Sequence, residues 1–226
     1  MNINNGRNWS NRTLKEIAML LPGFEEAINI SGFLDSDKAG GVYRNYFDIK
    51  NYEVSKYTGD SLHSNPNSEI FIDLDSDVSK LNKSCLGKYN LVFSHTVLEH
   101  VKNPFNAFKI FSSLMARDSL LINVVPFIYK FHFSKDNYGD YWRYTPHGLE
   151  ELHKSVGLKM NIIKIGPKNS FEKYMISVGS QNLDLSNEHK MNYEILNEKL
   201  GDINYSSLMK NLNNLILNSI KARISI

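Results

Sequence analysis

Small, acidic or imidazole-bearing residues follow four strand-like segments of the chain. In chain order they are Gly32, Asp60, Asp73, and the pair Ser94 and His95. Carboxylates, hydroxyls and imidazoles bind polar ligands, and glycine lets a ligand approach the backbone closely. If the preceding segments are neighbouring parallel strands, their carboxyl ends open into one crevice, where such sheets bind ligands. The spacing therefore predicts a binding crevice built from these positions.

A second group of chemically capable residues lies in the aromatic segment 127–144. Histidine side chains exchange protons near neutral pH, so His132 is our candidate catalytic base and His95 is its rival. A loop histidine without a role is the alternative for His132. The candidate substrate-binding residues are Asp140, Tyr141, Trp142 and Arg143. For Trp142 and Arg143 a structural role stays open, as a core anchor and as the partner of Asp140.

Two groups of residues suggest metal binding. Asp73, Asp75 and Asp77 alternate after a strand-like segment, but they lack the glycine and the distal glutamate of a calcium loop. Glu99 and His100 are adjacent, and their spacing matches no zinc signature. We interpret that pair as a hydrogen-bonded structural feature beside the crevice. The sequence therefore predicts no metal site.

Apolar periodicity indicates alternating strands and helices. The predicted strands are 26–31, 52–58, 69–72, 89–94, 120–125 (stopped by Pro126), 160–165 and 174–178. The predicted helices are 10–21 (capped by Ser10), a short one within 38–47, 104–115, and one from 146 to about 156. Segment 89–94 is almost continuously apolar, which is typical of a strand buried on both faces. The alternation predicts a doubly wound α/β fold with a mostly parallel seven-stranded sheet and flanking helices.

The C-terminal segment 204–226 carries an apolar stripe at helical spacing. We expect this helix to pack on the body of the protein or on a homodimer partner. Membrane-surface binding is the alternative, because basic amphipathic helices can bind there. The chain thus divides into an N-terminal helical segment (1–24), a central domain (25–182) and a C-terminal helical extension (183–226).

Composition limits the partners and the compartment. The chain has 226 residues, of which 42% are hydrophobic, and a net charge of +2. Because the positive charges are scattered, we expect no nucleic-acid partner. The single cysteine, Cys85, cannot form an internal disulfide, and the polar segment 1–11 lacks the apolar core of a signal peptide. These features predict a soluble, cytoplasmic protein.

Two phrases of the sequence resemble those of class I S-adenosylmethionine (SAM)-dependent methyltransferases. The first is V-L-E-H-V at 97–101, directly after the apolar strand at 89–94. The second, D-Y-W-R-Y-T-P at 140–146, looks like the D-Y-W-R-x-T-P phrase of one branch of that family. The resemblance covers about residues 25–180. It implies a Rossmann-like fold, SAM as the cofactor and methyl transfer as the activity.

By position, the resemblance assigns cofactor contacts to the strand ends. Gly32 would lie under the methionine part of SAM, and Asp60 would accept hydrogen bonds from the ribose hydroxyls. The other implied contacts are Asp73 and Leu74 at the adenine, and Ser94 and His95 around the sulfonium. The family's first loop usually carries two or three glycines, whereas here Gly32 is followed by another glycine only at 40.

The resemblance also implies an acceptor class. Proteins that carry both phrases often occur with glycan-building enzymes, so we expect O-methylation of a sugar or a related small polar metabolite in surface-glycan biosynthesis. Such a reaction needs a base, and this is the role expected of His132. The alternatives are another small or lipid-linked acceptor, and a methyltransferase-like binding or scaffold protein without catalysis.

Overall fold

The apolar run at 89–94 forms a central strand of a single sheet. In the computed structural model, the described residues are 6–32, 34–57, 70–132, 138–167 and 172–181. They contain six strands: β1 (Phe24–Ile30), β2 (Ile49–Val54), β3 (Tyr89–His95), β4 (Met115–Ile128), β5 (Lys159–Gly166) and β6 (Lys173–Ser180). The strand order is β2-β1-β3-β4-β6-β5. Strands β2, β1, β3 and β4 are parallel, whereas β6 runs antiparallel to both β4 and β5.

Three α-helices accompany the sheet in the described part of the chain. They are α1 (Gly6–Ala18), α2 (Pro104–Leu114) and α3 (Pro146–Lys154). Short 3-10 turns occur at Tyr43–Tyr46, Val78–Lys80, Lys83–Cys85 and Leu98–His100. Asn103 caps helix α2, because its side chain accepts a hydrogen bond from the amide of Asn106, and Pro104 occupies the first turn, where no amide donor is needed.

The core lies on both faces of β3 and β4. Leu91, Val92 and Phe93 of β3 are fully buried, as are Leu120, Leu121 and Ile122 of β4. On α2 the buried positions recur at helical spacing and include Phe108 and Phe111. Burying one methylene group stabilises the folded state by about 0.8 kcal/mol. For this reason the apolar runs, rather than local strand propensity, determine the centre of the sheet.

The described sheet has six strands rather than the predicted seven, and the strand predicted at 69–72 is not among them. Segment 70–72, where that strand was predicted, makes only one isolated parallel bridge, between Phe71 and Lys56. Strand β2 ends at Val54, four residues before its predicted end. The sheet is mixed: three of its pairings are parallel, and the two pairings of β6 are antiparallel.

Strand β4 is longer than predicted at both ends. Residues 116–119 form an irregularity in the β3–β4 pairing, where Asp118 has a φ of 55°. Pro126 was predicted to stop the strand, but β4 continues to Ile128. The β3–β4 pairing has already ended at Val124. Pro126 therefore lies past the β3 ladder, where its missing amide proton breaks no bond to β3.

The helix predicted near the N-terminus lies within the described residues, whereas the helical extension predicted at the C-terminus does not. Helix α1 begins at Gly6, four residues before the predicted start, because Ser10 lies within the helix and donates to the Arg7 carbonyl instead of capping. The predicted helix within 38–47 is only the 3-10 turn at Tyr43–Tyr46. The extension 183–226 lies outside the described residues. None of the helices among those residues is both long enough and apolar enough to cross a membrane.

Candidate functional site

A cleft of about 820 Å³ opens at the carboxyl ends of the parallel strands. Its walls are formed by α1, by the segments that follow β1, β3 and β4, and by the start of β6. Residues that the sequence analysis singled out contribute to these walls: Gly32, Asp73, Leu74, His95, His132 and Tyr141. The predicted convergence of strand ends on one crevice is thus seen for Gly32, Asp73 and His95.

The loop after β1 is closed by its own side chains. A Cβ at Gly32 would lie 2.5 Å from Asn29 Nδ2 and 2.9 Å from Val54 Cγ1, so only glycine fits there. Asn29 in turn donates to Asp35 Oδ1 at 2.8 Å. Ser31 and Asp35 have φ values of 52° and 57°, in the left-handed region that glycine usually occupies.

Asp37 organises the second half of this loop. Its Oδ1 accepts hydrogen bonds from the amides of Ala39 and Gly41, and its Oδ2 accepts one from the Tyr46 hydroxyl at 2.7 Å. Burial alone would raise the pKa of Asp37, but these donors outweigh burial and the pKa lies below its usual value. Buried carboxylates therefore supply order that a glycine-rich loop would lack.

The Asp73–Asp75 segment forms another wall and is tied to the start of α2. The Asp75 carboxylate accepts hydrogen bonds from the amides of Lys102 and Asn103. Asn106 Nδ2 donates to the Leu74 carbonyl at 2.8 Å. Asp73 and Leu74 are thereby held at the cleft. Asp60 lies outside the described residues.

Ser94 and His95 differ in their relation to the cleft. Ser94 is fully buried and donates to Asn123 Oδ1 on β4 at 2.7 Å, so it does not line the cleft wall. His95 does line it, and Arg7 Nη1 lies 2.7 Å from His95 Nδ1. Because a guanidinium can only donate, Nδ1 of His95 accepts this bond. Burial, followed by the charges of Arg7 and Lys38, holds the pKa of His95 well below its usual value.

Glu99, His100 and His132 meet on another wall of the cleft. The Glu99 side chain is fully buried, and burial raises its pKa to about 8. His100 Nε2 lies 3.6 Å from Glu99 Oε1, and His100 Nδ1 lies 2.5 Å from the Gly139 carbonyl oxygen. Burial also lowers the pKa of His100. The His132 ring lies 5.1 Å from the His100 ring, centroid to centroid, in an edge-to-face arrangement.

Asp140 and Arg143 support this wall. The Asp140 side chain has no exposed surface, its Oδ2 accepts the His132 amide at 2.8 Å, and Arg143 Nη2 donates to the same oxygen at 2.7 Å. Trp142 Nε1 donates to the Val101 carbonyl. Of the four predicted substrate-binding residues, Tyr141 alone is among the residues that line the cleft. For Arg143 the structure shows the contact with Asp140 that the sequence analysis left open.

Several cleft residues were not predicted from the sequence. Arg7 reaches the cleft from α1, 88 positions from His95, and no local pattern marks it. Tyr129 follows β4, and Tyr174 begins β6. Glu99 and His100 were singled out, but their approach to His132 depends on the packing of two separate loops. Only the adjacency of an acid and an imidazole signalled this site.

Comparisons with known proteins identify the fold. No protein-family model matches the chain, and no curated protein matches its sequence. Among solved structures, the trans-methyltransferase CalH in complex with SAH (S-adenosylhomocysteine) has a TM-score of 0.51 and 13% identity, over 76% of this chain and 57% of that chain. A SAM-dependent methyltransferase from Clostridium acetobutylicum has a TM-score of 0.51 and 11% identity, over 78% of this chain and 92% of that chain. This chain therefore has the Rossmann-like α/β fold of SAM-dependent methyltransferases.

Proposed function

We propose that the protein is a SAM-dependent methyltransferase that acts on a small polar acceptor. One observation carries this proposal: in a sheet with the methyltransferase fold, a cleft of about 820 Å³ lies at the carboxyl edge, where such sheets bind their ligands. Fold alone does not determine function, so the proposal also depends on the residues in this cleft. Both sequence phrases contribute to it, through Glu99 and His100 from the first and Tyr141 from the second.

The cofactor would occupy the wall formed by the segments after β1 and β3. Gly32 would lie under the methionine part of SAM, Asp73 and Leu74 would contact the adenine, and His95 would lie near the sulfonium. Ser94 would act indirectly, by holding the end of β3 against Asn123. We keep Asp60 as the proposed partner of the ribose hydroxyls.

The acceptor would bind on the wall that carries His132. In the transfer, an acceptor oxygen forms a bond to the methyl carbon, the sulfur–carbon bond breaks, and sulfur keeps the electron pair. His132, with no metal ion bound to it, takes the proton of the acceptor as general base. His95 is less suited to this role, because its Nδ1 already accepts from Arg7. Much of the acceleration would come from holding oxygen, methyl and sulfur in line.

For the acceptor we propose a sugar or a related metabolite of surface-glycan biosynthesis. Tyr129, Tyr138 and Tyr141 line the cleft and offer aromatic faces together with hydroxyl groups. Such surfaces suit the apolar faces and the hydroxyls of a sugar ring. Another small or lipid-linked acceptor would fit the same features, so this step depends mainly on the sequence phrases.

A methyltransferase-like binding protein without catalysis is the second candidate. The observation that favours it is the loop after β1, where Ser31 and Asp35 occupy left-handed positions and a carboxylate fills the loop. This candidate predicts that SAM binds weakly and that no acceptor is methylated. A dimer or membrane role of the segment 183–226 stays a prediction as well.

Calorimetric titration with SAM and with S-adenosylhomocysteine tests the cofactor site. We expect micromolar binding by the wild type and a loss of about tenfold or more in Asp73→Asn and Asp60→Asn, since a charged hydrogen bond contributes roughly 1.5–3 kcal/mol. Asp118→Asn is the matched control, because Asp118 is exposed, lies in the irregular start of β4 and does not line the cleft.

Each outcome separates the candidates. Binding that weakens in Asp73→Asn and Asp60→Asn but not in Asp118→Asn supports the cofactor site, and the acceptor search then begins with nucleotide sugars. A folded wild type that binds neither ligand rules out the enzyme. Tight binding without turnover on any acceptor class favours the non-catalytic protein.

A further inference from the structure

Three side chains on the cleft wall form a cluster that neither sequence phrase predicts as a unit. Glu99 and His100 come from the turn after β3, and His132 comes from the segment after β4. Their potential ligand atoms all lie within 4.8 Å of one another. One carboxylate and two imidazoles at such distances could supply three ligands to one metal ion.

The Glu99 carboxylate of this cluster is buried without a hydrogen-bond partner. Glu99 has no exposed surface, and neither of its oxygens has a hydrogen-bond partner among the residues that the structure describes. A buried polar group that is left without a hydrogen bond destabilises the folded protein. Because both oxygens are in this state beside a cleft, the site is complementary to a ligand that satisfies a carboxylate.

His100 is oriented as metal-binding histidines are. A carbonyl oxygen can only accept, so the 2.5 Å contact with Gly139 places the proton on His100 Nδ1. The lone pair is then on Nε2, the atom that lies 3.6 Å from Glu99 Oε1. A histidine that binds a metal through one ring nitrogen usually donates the N–H of its other nitrogen to a carbonyl or a carboxylate oxygen. This hydrogen bond determines the tautomer.

A carboxylate also lies close to the His132 ring. His132 Nδ1 lies 3.4 Å from Asp140 Oδ2, and Arg143 holds that carboxylate in place. His100 therefore has an outer hydrogen-bond partner, whereas the Glu99 carboxylate and His132 Nδ1 have none among the described residues.

We propose that Glu99, His100 and His132 bind a divalent transition-metal ion of the Zn²⁺ or Fe²⁺ type, and that its open positions take oxygen atoms of the acceptor. Two imidazoles with one carboxylate suit these ions better than Mg²⁺ or Ca²⁺, which prefer oxygen ligands alone. Bonds of about 2.0–2.2 Å would bring the ligand atoms to roughly 3–3.5 Å apart, so the two loops would close by about 1 Å.

The ion would activate the acceptor hydroxyl, and this catalytic role rests on the proposed function. A hydroxyl bound to a divalent ion loses its proton more readily, and water takes that proton. The resulting oxyanion forms the oxygen–methyl bond as the sulfur–methyl bond breaks and sulfur retains the electron pair. In the loaded protein, His132 is a ligand, so its role as a free base is confined to the metal-free protein.

Titration of the full-length, metal-stripped chain with Co²⁺ alone tests the site without any turnover. We expect one ion per chain and the visible absorption bands of histidine-ligated Co²⁺. Glu99→Gln and His132→Ala are each expected to weaken Co²⁺ binding by at least about tenfold, because even outer-partner losses have that effect. His147→Ala is the matched control, since His147 is exposed on α3 outside the cleft. Thermal melting verifies that each variant is folded.

The outcomes keep the ion and the proposed function apart. Absence of Co²⁺ binding in the folded wild type, or equal binding in the cleft variants, overturns the metal site. If SAM still binds in that case, the proposed function stands and His132 acts as a free base. Co²⁺ binding that depends on Glu99 and His132, in a protein that does not bind SAM, would support the metal site and overturn the methyltransferase.

Discussion

At the scale of single residues, Asp140 shows how a predicted ligand-binding residue can act through its neighbours. Its carboxylate is buried, and it joins Arg143 to the His132 segment. Burial alone would raise the pKa of Asp140, but Arg143 and the His132 amide outweigh burial and lower the pKa. Asp140 therefore positions His132, whichever role His132 has.

Asp140→Asn is expected to lower the free energy of unfolding by about 1–3 kcal/mol, because Arg143 loses its charged partner. The cost is below that of a fully buried pair, since 27% of the Arg143 side chain is exposed. Urea denaturation at neutral pH measures the change. Asp118→Asn, in an exposed pair with Arg117, should change stability by less than about 0.5 kcal/mol. Similar small losses in both variants would contradict the positioning role.

Gly32→Ala is expected to weaken SAM binding and to destabilise the protein by about 1–3 kcal/mol, because the added Cβ would overlap Asn29. Calorimetry and denaturation measure the two effects. In the control Gly148→Ala the added Cβ lies 3.3 Å from Thr145 Oγ1 in the first turn of α3, so less than about 1 kcal/mol should change. Normal SAM binding by Gly32→Ala would place the cofactor elsewhere.

At the scale of elements, α3 packs on the sheet through a histidine. His153 is fully buried, its Nδ1 bonds to the Leu149 carbonyl, and its ring stands edge-to-face on Phe108. A Cβ at Gly179 of β6 would lie 2.2 Å from His153 Cδ2, so the strand is glycine where the ring contacts it. Burial lowers the pKa of His153 from 6.5 to about 4.

This shift predicts an acid-dependent stability. The unfolded chain binds a proton near pH 6.5 and the folded protein only near pH 4, so the contribution of His153 is complete above pH 6.5 and is lost as the pH falls to about 4. The loss should be about 3 kcal/mol. Urea denaturation of the wild type and of His153→Leu at several pH values measures it. Parallel pH profiles for the two proteins would contradict the prediction.

At the scale of the whole molecule, the cleft is built from distant parts of the chain. Its described lining runs from Arg7 on α1 to Tyr174 at the start of β6. The four parallel strands bring their carboxyl ends to one edge, and α1 adds Arg7 to that edge. The cleft is thus a property of the tertiary fold more than of any one segment.

A chain that ends at residue 182 is expected to bind SAM as tightly as the full chain, because all the described lining residues precede that point. Calorimetry on the two proteins compares the dissociation constants, and circular dichroism verifies folding. A folded short chain that no longer binds SAM would place a cofactor contact within 183–226.

Sequence patterns were enough to predict the α/β class, the central strand at 89–94, helix α2 and the crevice at the strand ends. These features depend on apolar periodicity and on the chain order of short phrases, which are local properties. The sequence patterns misplaced the ends of β2 and β4 and the start of α1, because ladder partners and internal hydrogen bonds determine them. For Asp60 and the segment 183–226 the sequence predictions still await a test.

Which chemically capable residues meet depends on how the strands and their loops pack. Glu99 and His132 are 33 positions apart in the sequence, and the parallel packing of β3 beside β4 brings their loops together. Helix α1, which packs on β5 and β6, brings Arg7 to His95, and the Asp140 carboxylate accepts the His132 amide. A spacing rule for metal ligands applies within one turn or loop, so it could not detect a cluster that two separate strand ends create.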